Sequence, residues 1–280
     1  MSDIALLCRG LVHVYREAGT DVAALRGVDL VVPAGQRVAV LGPSGSGKST
    51  LLSVAAGVTR PSAGRAEIFG TDIASATGSV VRRLRRGTLG LMMQGTAANL
   101  LLHEDAMGNL AWAVGRSRDA LRVGRRVLRT GGLANDRRPV SLLTPTEQQV
   151  VALAVALAPR PRLLLADEPT SRLGPAARDA VLDLLVETTE ASGTAVLLVT
   201  HDDEVAARMQ RMVHLRDGRV GEEATAAGRW SVVGTDGSLQ LPQALRQDWI
   251  DGTLVTVEEV APGELRIRRS DATNGEGTHG

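Results

Sequence analysis

Residues 36–56, QRVAVLGPSGSGKSTLLSVAA, decide how this chain is read. Gln36 to Leu41 is a short apolar run of the kind that forms a buried strand. Ser49 to Ala56 has the composition of a helix. Between them Gly42-Pro43-Ser44-Gly45-Ser46-Gly47-Lys48-Ser49, with Thr50 behind it, fits the pattern G-x-x-x-x-G-K-[ST]. Glycines at these spacings let backbone N–H groups approach phosphate oxygens, Lys48 reaches the β- and γ-phosphates, and the Ser49 hydroxyl can ligate Mg²⁺. The helix that begins there adds its dipole. A chance glycine-rich turn can share these letters, but the strand before and the helix after select the phosphate-binding reading: a nucleoside triphosphate held with Mg²⁺.

A second stretch agrees independently. Leu163-Leu164-Leu165-Ala166-Asp167-Glu168 is an apolar strand that ends in two carboxylates. Asp167, at its C-terminal end, is placed to hold Mg²⁺ through its waters, and Glu168 to polarise an attacking water. A surface Asp-Glu pair opening a turn before Pro169 is the plainer alternative, but a fully apolar strand argues for burial on both faces.

Working outward, Ile4–Leu7, Val28–Val32 and Arg65–Phe69 read as short strands, and Ala195–Thr200 as a further buried one. Val80–Arg86, parts of Glu104–Arg129, Thr144–Leu157 and Ala176–Glu190 read as helices. Strands alternating with helices predict an α/β domain with a mostly parallel sheet covered on both faces. The character changes after Gly228. Short alternating strands between Ser231 and Arg269, with turns at Asp236-Gly237 and Pro262-Gly263, predict a separate β-rich element of about 40 residues, too small for confident stability alone. Thr273–Gly280 reads as a disordered tail.

Length and composition fit this picture. The chain has 280 residues and a formal net charge of +1, enough for one large domain and a small appendage. Aromatics are only 2% against 44% hydrophobic residues, so Leu, Val and Ala must build the core. Near-neutral charge gives no argument for nucleic acid. The single cysteine, Cys8, excludes an internal disulfide and suits a reducing compartment as a small buried hydrophobe. The longest apolar run, Val150–Ala158, falls far short of the roughly 18–20 residues of a membrane helix, so any membrane part is expected on another chain. The first residues, MSDIALLCRG, lack a basic region ahead of an apolar one and are not read as a secretory signal.

With these motifs in hand, residues 3–222 resemble an ABC-type ATPase, the nucleotide-binding subunit of ATP-driven transporters. The pattern is most similar to the lipoprotein-releasing and macrolide-export subgroup. The resemblance implies a P-loop NTPase domain over residues 1–228, with a helical subdomain at about 95–160, working with ATP and Mg²⁺. It implies that Tyr15 is the aromatic that stacks on adenine. Gln94, in Leu91-Met92-Met93-Gln94, would sense the γ-phosphate, hold the Mg²⁺ together with Ser49 and Asp167, and contact the membrane subunit. Asn99-Leu100-Leu101 and Asn109 match the segment that follows. His201, after Val199-Thr200, matches the histidine that contacts the γ-phosphate. Glu168, Lys48 and His201 are then the catalytic set. Partners implied are a separate membrane permease subunit and a second ATPase subunit, as homodimer or heterodimer. The location implied is cytoplasmic, peripheral on the inner face of the cell membrane.

The chain departs from that family where one subunit completes its partner's site. The family signature L-S-G-G-Q/E-Q is replaced by Leu143-Thr144-Pro145-Thr146-Glu147-Gln148. Both glycines are gone, Pro145 removes a donor, and Thr146 brings a β-branched side chain to a place of close phosphate approach. The same residues still make a good helix start, with Thr144 as N-cap, Pro145 in the first turn and Glu147 closing a capping box. After Asp167-Glu168 the family reads S-x-L-D; here Ser171-Arg172-Leu173-Gly174 lacks the coupling aspartate. Binding within the subunit is therefore expected intact, and hydrolysis across the dimer slowed.

Residues 229–270 are similar to AbrB-like swapped-hairpin domains, on Val232-Val233-Gly234-Thr235-Asp236-Gly237-Ser238-Leu239-Gln240-Leu241-Pro242, a short helix at Gln243–Trp249, and strands Thr253–Glu258 and Leu265–Ile267. That resemblance implies dimerisation, or DNA binding. Arg246 is offset by Asp236, Asp248 and Asp251, and Arg266, Arg268 and Arg269 by Glu258, Glu259 and Glu264, so no basic face forms and DNA is not the expected partner. A β extension packed on the ATPase domain is the plainest alternative. Arg82-Arg83-Leu84-Arg85-Arg86 reads as a solvated helix face, with acidic lipid headgroups the sharper alternative. The Arg-rich stretch Arg116–Arg129 allows contact with the membrane subunit or lipid. Two functions remain: an ATP-driven subunit of an export or extraction complex, and a non-transporting regulator that uses ATP as a slow switch.

Overall fold

A computed structural model describes residues 4–17, 20–225, 228–232, 239 and 255–269. The chain divides into two compact units, residues 1–240 and 241–280.

The first unit opens with two long antiparallel strands, β1 (Ile4–Glu17) and β2 (Thr20–Pro33). Then come β3 (Arg37–Leu41), α1 (Lys48–Ala55), β4 (Ala63–Ile68), β5 (Thr71–Asp72), α2 (Gly78–Gly87) and β6 (Leu89–Met92). Next are α3 (Ala106–Val114), α4 (Arg118–Thr130), α5 (Pro145–Leu157), β7 (Leu163–Asp167), α6 (Pro175–Ser192) and β8 (Ala195–Thr200). The unit closes with α7 (Asp203–Ala206), β9 (Arg211–Arg216), β10 (Arg219–Thr225) and β11 (Gly228–Ser231). The second unit contributes a hairpin, β12 (Val255–Ala261) with β13 (Glu264–Arg269).

The central sheet has seven strands in the order β11-β10-β9-β3-β8-β7-β6. Strands β9, β3, β8, β7 and β6 run parallel, and β10 and β11 are added antiparallel at one edge. Strands β3, β8 and β7 are buried along their whole length, which is why they read as unbroken apolar runs. Their side chains alternate between two cores. Ala39, Leu41, Leu164, Ala166, Val196 and Leu198 face one that includes Val151, Leu153, Leu182 and Leu185 of α5 and α6. Val38, Val40, Leu163, Leu165, Leu197 and Val199 face one that includes Leu51 and Leu52 of α1 and Leu6, Leu25 and Leu30 of β1 and β2. Each fully buried leucine in these layers contributes about 1.5–3 kcal/mol.

The mixed α/β architecture of a P-loop NTPase with a small C-terminal hairpin matches the reading of the sequence. A second layer does not: β2-β1-β4-β5 form an antiparallel four-stranded sheet where short separate strands were expected. Strands β1 and β2 are 14 residues each, not four or five. Their pairing contains several register shifts, between Cys8 and Leu11 among others, and these bulges break the period-two pattern that length would otherwise show. Cys8 is 1% exposed, and burial followed by the charge of Asp29 pushes its thiol up to about 12. Helix α2 buries none of its residues, an exposure that both the solvated-face and the lipid-headgroup readings share. Among the described residues no helix is long and apolar enough to cross a membrane. The expected short helix at Gln243–Trp249, most of the Val232–Pro242 motif and the expected tail disorder lie outside the described residues.

Candidate functional site

The C-terminal ends of the parallel strands meet in register: Leu41 beside Thr200 and His214, Asp167 beside Val199, Met92 beside Ala166. Ligands bind at this edge of a parallel sheet. Here β3 runs into Gly42–Gly47 and α1 begins at Lys48. The loop is pinned from three sides. Gly42 N donates to Thr200 O (3.2 Å), Gly218 N, in the turn after β9, donates to Ser46 O (3.1 Å), and β2 packs against Gly47. Gly47 has φ 101°, a left-handed value, and a Cβ there would overlap the Ala24 carbonyl oxygen; one on Gly42 would overlap that of Leu215. Only glycine fits either place without moving backbone. The four-stranded sheet and the β9–β10 turn therefore shape the cradle, and neither was read from sequence.

Lys48 is 7% exposed, and its Nζ donates to Gly42 O (2.6 Å) and Pro43 O (2.9 Å), so it lies along the loop. Burial lowers the pKa of its ammonium below the ordinary lysine value, against the pull of Glu168 and Asp167. Asp167, 4% exposed, has its carboxyl raised above 3.8, chiefly by burial; the Ser49 hydrogen bond opposes this, Glu168 adds to it and Lys48 opposes it. Ser49 Oγ lies 3.4 Å from Asp167 Oδ1. This hydroxyl and carboxylate are the hard oxygen donors Mg²⁺ takes beside phosphate oxygens. Among the described residues the Ser46 hydroxyl, buried inside the loop, has no partner, an acceptor and donor open to a phosphate. The residues present thus fit a nucleotide phosphate chain with Mg²⁺.

Glu168 adopts φ 47°, strained for a residue with a side chain and worth roughly 1–3 kcal/mol. Its amide donates to Val199 O (3.0 Å), which turns the carboxylate off the strand. His201 Nδ1 lies 2.8 Å from Glu168 Oε1; a carboxylate only accepts, so Nδ1 carries the proton of this bond. The residues beyond β6 form a stapled loop. Asn99 accepts from Met93 N (2.7 Å) and donates to Met93 O (2.6 Å) and Gly95 O (2.8 Å), and Asn109 brackets Leu101 in the same way (2.7 and 3.0 Å). Gln94 sits exposed in that loop, two residues past the end of β6. Tyr15, 38% exposed, places its hydroxyl 3.3 Å from Thr50 Oγ1, next to the phosphate loop, with its ring edge-on to His13. Lys48, Ser49, Asp167, Glu168 and His201 are brought together; Tyr15 joins them through Thr50.

Thr144, Pro145, Thr146 and Glu147 stand apart from them. Among the described residues no hydrogen bond or ion pair joins these four to the loop. Their own geometry is the expected helix start. Glu147 N donates to Thr144 Oγ1 (3.3 Å), Thr144 N donates to Glu147 Oε2 (2.7 Å), and Pro145 is the first residue of α5. Arg138 donates to Glu147 Oε1 (2.7 Å) and Asp136 Oδ2 (2.6 Å) and locks the cap from outside. The Thr144 bond, with Arg138 behind it, holds the Glu147 carboxyl below its ordinary value. Gln148 N donates to Thr144 O (2.9 Å). Among the described residues, of the donors an open helix N-terminus offers an anion, Thr146 N is the one left over. Gly174 caps α6 with φ −68° and ψ 163°, has no side-chain cap bond, and has open space where a Cβ would go. Reading the sequence missed Thr200, whose buried hydroxyl lies 3.3 Å from Glu168 Oε2; a polar residue ending an apolar strand was the available signal.

The ABC transporter family model matches residues 25–171. The lipoprotein-releasing system ATP-binding protein LolD of Ruegeria sp. (strain TM1040) is 45% identical over 226 residues, 78% of this chain and 98% of that protein. LolD 2 of Caulobacter vibrioides is 41% identical, over 79% of this chain and 98% of its own length. The dimeric post-hydrolysis structure of the ATP-binding cassette MJ0796, bound to ADP and Pi, matches with a TM-score of 0.70 and 29% identity, over 79% of this chain and 98% of that one. With a phosphate cradle shaped by two sheets and this identity over nearly the whole of known cassettes, the chain belongs to the ABC transporter family and is one of its ATP-binding ATPase subunits.

Proposed function

We propose that this chain drives export, or extraction of a lipid-linked substrate, by a separate membrane permease. It would work as a dimer, held from the cytoplasm at the inner face of the membrane. Lipoprotein release by the LolD relatives supports the substrate class. In this reading Lys48, Ser49, the loop amides and Thr50 hold the phosphates of ATP, and Tyr15 holds its base. Ser49 and Asp167, with Gln94 nearby, hold Mg²⁺, which supplies positive charge to neutralise the developing phosphate charge. Glu168 takes the proton of the attacking water as its oxygen bonds to the γ-phosphorus and the bond to the β–γ bridging oxygen breaks. His201 steadies the carboxylate and contacts the γ-phosphate, and Lys48 offsets charge on its oxygens. The observation that carries the reading is the 2.8 Å His201–Glu168 contact beside the Ser49–Asp167 pair.

The trans surface is the weak half. The self-satisfied start of α5 and the missing carboxylate at Gly174 support slow hydrolysis in a homodimer, since each lost phosphoryl donor costs about 10²–10³-fold in rate. In a heterodimer only the partner's nucleotide would be affected.

The C-terminal hairpin supports a dimerisation role for residues 229–270 as an AbrB-like element. Val255 (43% exposed), Val257 (57%), Leu265 (61%) and Ile267 share one face with Glu259 and Arg269, an apolar strip with a charge at each end that a two-stranded ribbon cannot bury alone. The opposite face pairs Glu258 with Arg266, which offsets the charge DNA would need. The closed start of α5 also favours a second reading, a regulator for which ATP is a slow switch. Tagged full-length chain, purified from membranes in detergent, separates the two. Copurification of an integral membrane protein that stimulates ATP hydrolysis supports the transport reading. A chain without such a partner that retains specific DNA supports the regulator.

A further inference from the structure

We propose that Thr200 is a positioning residue for hydrolysis: its hydroxyl holds the second oxygen of the Glu168 carboxylate, whose first oxygen His201 holds. The inference rests on Glu168 being the base. Thr200 ends β8 and is 1% exposed. The five residues before it, Ala195 to Val199, are apolar and fully buried, and valine would fill the last place with nearly the same shape. A buried hydroxyl is unfavourable there unless it is used. It is used twice: Thr200 Oγ1 donates to Glu168 Oε2 (3.3 Å) and accepts from Asp202 N (3.1 Å).

Both ends of this link are fixed. Asp202 caps α7, its Oδ1 accepting from Glu204 N (2.9 Å) and Val205 N (3.4 Å), and Arg178 of α6 donates to its Oδ2 (3.3 Å). The Thr200 carbonyl accepts from Gly42 N, the first amide of the phosphate loop (3.2 Å). One residue therefore ties the loop that holds the phosphates to the carboxylate that would take the proton. A glutamate side chain has three rotatable bonds; two donors on different oxygens select one arrangement of them.

The test is single-turnover hydrolysis of ATP–Mg²⁺ by the full-length protein at saturation, with ATP affinity measured separately through a fluorescent analogue. Thr200→Val is expected to slow hydrolysis about tenfold, with affinity held within about twofold, since one hydrogen bond to a charged group is lost. Thr200→Ser, which keeps the hydroxyl, is expected to restore most of the rate. In a Glu168→Gln background Thr200→Val should cost nothing further. Wild-type hydrolysis by Thr200→Val beside a slow Glu168→Gln overturns the role of Thr200 alone. So does an equal loss in both backgrounds, or a parallel loss of ATP affinity, either of which marks a purely structural residue. Wild-type hydrolysis by Glu168→Gln overturns the base assignment and this proposal with it.

Discussion

Two carboxylates stand side by side at the end of β7 and feel different surroundings. Asp167 is enclosed and raised by burial, while Glu168 turns off the strand through a left-handed backbone onto His201 and Thr200. The sign of the Asp167 effect on stability follows. Its native value lies above 3.8, so the folded chain holds that proton more tightly than the unfolded one. Stability is full below 3.8 and falls as pH rises through the raised native value. Lys48 mirrors this on the alkaline side: its lowered native value costs stability that is regained as pH climbs toward 10.5. At neutral pH both burials oppose folding, the expected strain of a site built for charge. Asp167→Asn should raise the thermal midpoint of nucleotide-free protein and abolish the further rise produced by ATP–Mg²⁺; a lower nucleotide-free midpoint counts against this account. Gly47→Ala should cost about 1–3 kcal/mol in denaturant unfolding and remove ATP binding, because a Cβ meets the Ala24 carbonyl. Unchanged binding would mean the loop relaxes more cheaply than the φ of Gly47 implies. At this scale the sequence was most legible. Gly42–Ser49 and Asp167-Glu168 are contiguous and flanked by unbroken apolar strands, so chemistry and context sit in one window. Thr200 left only a faint signal, a polar residue ending an apolar strand, because its use depends on Glu168, 32 residues away along the chain.

Helix α5 begins in a closed cap, and the proposed weakening of the surface offered to a partner rests on that cap. Thr144 and Glu147 satisfy one another, Arg138 clamps the pair, and Pro145 has no amide to give. Thr144→Ala should lower stability by about 1 kcal/mol, measured by urea unfolding. Glu147 titrates below its ordinary value, so its contribution is complete above about pH 4.5 and is lost as pH falls through the lower native value. Glu147→Gln should flatten that acid decline, and an unchanged acid profile would count against the clamp. This capping box was readable because its signals lie within four residues. Strands β1 and β2 were readable only in part, since bulges interrupt their alternation. The hairpin of β9 and β10 escaped notice because Arg211, His214, Arg216, Arg219, Glu222 and Glu223 give a mixed composition rather than an apolar run.

Across the molecule, the parallel sheet was foreseeable from alternating strands and helices. The antiparallel layer behind the phosphate loop was not, because pairing between β1 and β4 joins residues more than fifty apart and leaves no local pattern. The C-terminal hairpin carries its own whole-molecule prediction. Val257→Lys should weaken self-association of the full chain at least about tenfold in sedimentation, with ATP affinity unchanged, because it charges an apolar face worth about 1.5–3 kcal/mol per buried side chain. Undisturbed association would assign dimerisation elsewhere. The central proposal joins both halves of the ATPase unit: nucleotide is held by a complete site within the chain and cleaved slowly because the surface offered to a partner is altered. Steady-state turnover of the purified homodimer, compared with a Pro145→Gly/Thr146→Gly/Gly174→Asp variant at equal ATP occupancy, tests it most directly. The account predicts a rise of at least about 10²-fold in kcat with ATP affinity held within about twofold. A parent chain that already turns over at about 10 per second, and gains nothing from the three changes, would contradict it.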